Sequence, residues 1–173
     1  STGANTLVIA PTGSGKTLAA FLHAIDKLFT ERAPDAHNKN RTAKTSTRIL
    51  YISPLKALGA DVRKNLRIPL HGMSGRRDER GEPYTGITVG MRTGDTPSSE
   101  RASLIRKPPD ILITTPESLY LMLTSKARDT LRGVGTVIVD EVHAIAGTKR
   151  GAHLAVSLER LDALLMAPAQ RIG

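Results

Sequence analysis

Short apolar runs alternate with stretches of helical periodicity along the whole chain. The first run, Thr6-Leu7-Val8-Ile9-Ala10, predicts a buried strand. Leu18, Phe21, Leu22, Ile25, Leu28 and Phe29 then recur at helical spacing, a stripe that would face a sheet, and the helix should stop near Thr30, ahead of Pro34. Residues 31–47 are polar and basic and read as an exposed loop. A second strand over 48–53 runs into a helix with Leu55, Leu58, Val62 and Leu66 inward and Lys56, Asp61, Arg63 and Lys64 outward. Residues 67–86, rich in Gly, Arg and Pro, show no period and read as a loop or small excursion. A third strand is expected at 87–91. Thr96 follows as a helix N-cap, with Pro97 in the first helical position. Pro108-Pro109 ends that helix, and a fourth strand follows at 110–114, then a helix from Glu117 to about Lys126. A fifth strand covers 136–140. A long helix then carries Leu154, Leu158, Leu161 and Leu165 on one face, and Arg171-Ile172-Gly173 begins another strand. Such alternation predicts an α/β fold, a mostly parallel sheet with helices on both faces.

Composition narrows the class. A chain of 173 residues suits one domain with a real core. The absence of cysteine excludes disulfides and thiolate zinc sites. No apolar run approaches the ~20 residues that span a bilayer, and Ser1-Thr2-Gly3-Ala4-Asn5 has no signal-peptide character, so a cytoplasmic, membrane-free setting is expected. Lys and Arg outnumber Asp and Glu by 25 to 16, and a balance of +9 suits a polyanionic partner. Aromatics are only 3%, with no Trp, so tracking of a phosphate backbone is favoured over base stacking.

The most specific chemistry lies in Ala10-Pro11-Thr12-Gly13-Ser14-Gly15-Lys16-Thr17, between a predicted strand and a predicted helix. Gly13 and Gly15 let the backbone bend around phosphates and aim its N–H groups at them, with the helix N-terminus adding positive potential. Lys16 would reach the β- and γ-phosphates, and the Thr17 hydroxyl would bind Mg²⁺. The first position of the usual pattern is Gly, and here it is Ala10.

The second signal is Val137-Ile138-Val139-Asp140-Glu141-Val142-His143, an apolar strand delivering two carboxylates to its C-terminal end, where ligands of open α/β sheets bind. Asp140 would hold Mg²⁺ directly or through water, and Glu141 would orient and deprotonate the attacking water. His143 could relay between nucleotide and nucleic acid or could be a satisfied structural histidine. His23, His37, His71 and His153 lack metal-ligand spacing.

With both motifs placed, the chain resembles a superfamily 2 helicase of the DExH type, with Asp140-Glu141-Val142-His143 as its box. Ser53-Pro54-Leu55-Lys56-Ala57-Leu58, Thr93-Gly94-Asp95-Thr96 and Thr114-Thr115-Pro116-Glu117-Ser118-Leu119 are similar to that family's nucleic-acid-contacting motifs. Gly147-Thr148-Lys149-Arg150-Gly151-Ala152-His153-Leu154, with Ser157-Leu158-Glu159-Arg160-Leu161 after it, is similar to the large helicase-related (Lhr) family. The resemblance implies a RecA-like P-loop NTPase domain over 1–173, cut before the Ser-Ala-Thr motif and without the second RecA-like domain of the same polypeptide. It also implies ATP and Mg²⁺ as cofactors, 3′-to-5′ translocation on single-stranded DNA, and unwinding of duplexes or RNA:DNA hybrids. Ser53, Pro54, Thr93, Gly94, Thr114 and Thr115 would then contact phosphates through hydroxyl and backbone groups, with charge from Lys56 and Arg150.

Three other readings compete. An RNA helicase of the same superfamily would make the same phosphate contacts. A P-loop kinase or GTPase is disfavoured by the Asp-Glu strand end and by the lack of an Asn/Lys-x-x-Asp guanine motif. A nucleic-acid-binding module with a vestigial nucleotide site would keep the loop but not the turnover. An arginine finger contributes about 10³–10⁵ in rate. The isolated chain is therefore expected to bind nucleotide weakly, hydrolyse it very slowly and not unwind, as a phosphate-release and strand-displacement assay would read.

Overall fold

A computed structural model describes residues 4–11, 15–32, 46–66 and 86–173. Its elements follow in the order α1 (Lys16–Arg32), β1 (Ile49–Ile52), α2 (Lys56–Asn65), β2 (Val89–Arg92), α3 (Ser98–Arg106), β3 (Ile111–Thr114) and α4 (Pro116–Leu123). A 3₁₀ turn (Lys126–Leu131), β4 (Thr136–Val139), α5 (Val142–Ile145), α6 (Lys149–Asp162) and β5 (Gln170–Ile172) complete it. The five strands form one sheet in the order β2-β3-β1-β4-β5, parallel throughout.

Every residue of β1, β3 and β4 is buried, all but Thr114 and Thr136 being apolar or aromatic, as a parallel sheet under helices requires. The strand period of two divides the core. Leu50, Ile52, Leu112, Val137 and Val139 pack against Leu119 of α4 and Leu154, Leu158 and Leu161 of α6. Ile49, Tyr51, Ile111, Ile113 and Ile138 pack on the other face against Phe21, Ile25 and Leu28 of α1. Arg171 of β5 pins α6 to the sheet edge through Glu159 (2.9 Å) and Asp162 (2.5 Å).

Several expectations shift. The 6–10 run is no buried strand. Only Thr6 forms a ladder bridge, with Ile172. The N–H groups of Thr6 and Val8 donate to Arg171 and Gly173, so the segment pairs on one side with β5. Leu7 and Ile9 are 65% and 87% exposed, because the segment lies at the border of the described sheet and is covered on one side only. In α1 the inward stripe is Ala20, Phe21, Ala24, Ile25 and Leu28, while Leu18 and Leu22 are exposed. The two alanines let the helix approach the sheet closely, which turns the leucines outward. Phe29 lies outside the described side chains. In α2 Leu66 is buried and Val62 partly so, but Leu55 is exposed as the N-cap; the Leu58 side chain lies outside the description. α3 starts at Ser98 after Pro97, because the Thr96 hydroxyl instead accepts the Thr93 N–H (2.9 Å) and closes the preceding turn. The expected helix from Glu117 onwards starts at Pro116, ends at Leu123 and gives way to the 3₁₀ turn. The expected loops over 31–47 and 67–86 lie mostly outside the described residues.

The α5–α6 junction depends on one glycine. Thr148 caps α6 by accepting the Gly151 N–H (3.1 Å), and its hydroxyl donates to the Ile145 carbonyl (2.7 Å). A Cβ on Gly151 would stand 2.1 Å from that same carbonyl oxygen. Gly151→Ala is therefore expected to destabilise by about 1–3 kcal/mol, read as a lowered thermal midpoint in circular dichroism. An unchanged midpoint would show that the two helices part without cost.

Candidate nucleotide and nucleic-acid site

The parallel order brings every strand's C-terminal end to one rim, where Ser53, Thr93, the residues after β3 and Asp140 follow their strands directly. At the β4 end a cavity of about 500 Å³ is lined by Ala10, Pro11, Lys16, Thr17, Asp140, Glu141 and His143 together. The phosphate-loop helix and the acidic strand thus open on one space. Gly15 precedes α1 with φ +85°, a left-handed conformation that glycine adopts without strain. Thr12, Gly13 and Ser14 lie outside the described residues. The Lys16 ammonium donates to the Ala10 carbonyl and to that of Pro11 (3.0 Å), so it is held at the mouth of the loop.

Glu141 has φ 50° and ψ 45°, the one positive φ at a non-glycine residue among the described residues. A side chain in that region carries strain that the surrounding structure must hold. The Asp140 N–H donates to the Ile52 carbonyl (2.9 Å), which anchors the turn to β1. The Glu141 carboxylate is 3.2 Å from His143 Nε2, and His143 is otherwise largely exposed.

Tyr51 was not anticipated. It is fully buried, and its hydroxyl donates to Asp140 Oδ2. Burial first, and then the bond to Asp140, push its phenol far above the ordinary tyrosine range, so it is a constant donor. A sequence signal existed: Tyr51 stands in an otherwise aliphatic strand, and a buried hydroxyl must find a partner.

Thr17 and Asp140 offer hard oxygen donors, the type Mg²⁺ takes. Among the described residues no group of three or more His, Cys, Asp or Glu side chains clusters. This donor set fits an ion that is completed by phosphate and water rather than by a protein cage. A larger cavity of about 760 Å³ between the 5–7 segment and α5–α6 is lined chiefly by apolar residues such as Leu7, Val142, Ile145 and Leu154. It holds neither the lysine nor the two acids, so the chemistry belongs to the smaller one.

The residues expected to contact phosphates lie on the rim of β1, β2 and β3. Ser53, Thr93, Thr114 and Thr115 are buried. The Ser53 hydroxyl donates to the Leu55 carbonyl (2.9 Å), and that of Thr114 to the Arg92 carbonyl (2.8 Å). Thr115 caps α4 by accepting the Ser118 N–H (3.4 Å), and the Thr93 hydroxyl accepts from Asp95 N–H (3.3 Å). The Ser53, Thr93 and Thr115 hydroxyls shape the turns, and that of Thr114 ties β3 to β2. Pro54 is buried, Gly94 is exposed and the Lys56 side chain lies outside the description. Arg150, expected to add charge there, grips Glu117 through Nε (2.5 Å) and Nη2 (3.1 Å). That bond holds the Glu117 carboxyl below the usual carboxylate range. The His153 ring packs at a tilt against Tyr120, with centroids 4.7 Å apart and planes at 57°.

Fold and site together define a RecA-like helicase domain. The model of the DEAD/DEAH box helicase family matches residues 1–172. The Lhr helicase/uracil glycosylase of Escherichia coli is 68% identical over 96% of this chain, which spans 11% of that relative's length. The ATP-dependent helicase Lhr-Core of Methanothermobacter thermautotrophicus is 48% identical over 94% of the chain, which spans 18% of it. The solved structure of Mycobacterium smegmatis helicase Lhr bound to ssDNA and AMP-PNP is 62% identical, with a TM-score of 0.87 over 99% of this chain and 20% of that one. The chain therefore belongs to the DEAD/DEAH box helicase family, and it is similar to one segment of the much longer Lhr helicases. No described helix is long and apolar enough to cross a membrane.

Proposed function

We propose that this domain hydrolyses ATP to drive 3′-to-5′ movement of a longer polypeptide along single-stranded DNA, opening duplexes or RNA:DNA hybrids. The observation that carries the reading is the shared cavity of Lys16, Thr17, Asp140 and Glu141. Lys16 and the N–H groups of the 11–17 loop bind the triphosphate. Thr17 and Asp140 would hold Mg²⁺, which when bound neutralises phosphoryl charge. Glu141 accepts the proton of the attacking water, and His143, in contact with that carboxylate, couples the nucleotide pocket to the polymer. The second RecA-like domain of the same polypeptide supplies the arginine finger.

The polymer runs over the rim of β1, β2 and β3. Since the hydroxyls there are turned inward, backbone N–H groups at Gly94 and the 114–115 turn meet the phosphates, with charge from Lys56. The relative solved with ssDNA and AMP-PNP, at 62% identity, supports DNA as the polymer. So does the 36% identity to the ATP-dependent DNA helicase MER3 of Saccharomyces cerevisiae. The test compares ATP turnover by the intact protein with single-stranded DNA and with RNA of the same sequence. DNA is expected to stimulate more strongly, and equal or greater stimulation by RNA would overturn the DNA assignment.

A further inference from the structure

We propose that Tyr51 is a positioning residue for the metal site, orienting the Asp140 carboxylate while holding the helix that carries Thr17. The inference rests on the nucleotide–metal reading above. In the register of the sheet Tyr51 lies opposite Ile138. Asp140, two residues beyond Ile138, therefore falls on the same face and on the diagonal from Tyr51, within reach of a long side chain. The Tyr51 hydroxyl takes Asp140 Oδ2 and leaves the other oxygen to the cavity that Asp140 lines. The Tyr51 ring stacks on Phe21, with centroids 5.0 Å apart and planes at 29°. Phe21 stands four residues after Thr17 on α1, so the two share one helix face.

One side chain thus touches both elements that supply metal oxygens. Its ring sets where α1 sits, and its hydroxyl sets the rotamer of Asp140. Neither function involves contact with nucleotide. Groups that orient a metal ligand in this way typically carry about 10- to 100-fold in metal affinity.

The test is Tyr51→Phe in the intact protein, which keeps the ring and its stack on Phe21 and removes only the hydroxyl. Binding of a fluorescent ATP analogue is titrated with Mg²⁺ from a chelated baseline. The expected result is a rise of about 10-fold in the Mg²⁺ concentration at half-saturation. Metal-free nucleotide affinity should stay as in the wild type, and the thermal midpoint should fall by no more than the few degrees that losing one hydrogen bond brings. In an Asp140→Asn background the same change should add less than about twofold, since the oriented carboxylate is gone. Superimposable Mg²⁺ curves for Tyr51→Phe and wild type would overturn the inference. So would a parallel loss of metal-free binding and thermal midpoint, which would mark Tyr51 as a packing residue alone. A wild type whose nucleotide binding ignores Mg²⁺ removes the metal role of Asp140, and the inference with it. Nucleotide binding that survives Lys16→Ala would instead overturn the proposed function itself.

Discussion

Glu141→Gln is expected to cut the nucleic-acid-stimulated ATP turnover of the intact protein by about 10²–10⁴-fold, with nucleotide binding retained. Glutamine keeps the length and shape of the side chain and can still accept from His143, now 3.2 Å from the carboxylate. It cannot accept the proton of water. The backbone at φ 50° is no better for one residue than for the other, so folding should not change. Steady-state phosphate release, paired with binding of a fluorescent nucleotide, checks both halves. Turnover within twofold of wild type would remove Glu141 from the role of base.

Lys16→Ala acts one step earlier. The ammonium bonds to the Ala10 and Pro11 carbonyls and lines the cavity shared with Asp140 and Glu141, from which it would turn to the β- and γ-phosphates. Each hydrogen bond to a charged group is worth about 1.5–3 kcal/mol, about 10- to 150-fold in affinity. The alanine variant is expected to lose at least about 100-fold in nucleotide affinity, and all turnover with it. Isothermal titration of the variant with ATP and Mg²⁺ measures this directly. Wild-type affinity would mean that the loop is not a phosphate site.

The regular features of the fold were legible because they arise from local pattern. Continuous apolar runs at β1, β3 and β4 signalled strands buried on both faces, and the leucines of α6 signalled its inward stripe. The phosphate loop and the Asp140-Glu141 pair were legible because each is a contiguous string at the end of a strand. What stayed hidden depends on residues far apart in the chain. Arg150 meets Glu117 across 33 positions, and Tyr51 meets Asp140 across 89. The exposure of Leu7 and Ile9 is of the same kind. An apolar run says that a strand is available for burial and does not say how much neighbouring structure covers it. The bonds of Ser53 and Thr114 were hidden for another reason: in sequence, a hydroxyl that ties down the backbone, in a turn at Ser53 and between two strands at Thr114, looks the same as one offered to a ligand.

The strand order also sets a length scale. From β4, which delivers the acids, to β2, which ends at Thr93 and Gly94, there are only two intervening strands, β1 and β3. Neighbouring strands lie about 4.8 Å apart, so the whole interval is roughly 14 Å. On the proposed reading, fuel chemistry and polymer grip lie side by side on the same edge. The middle strand belongs to both neighbourhoods: Tyr51 bonds to Asp140, and Ser53 follows the strand at the rim assigned there to the polymer.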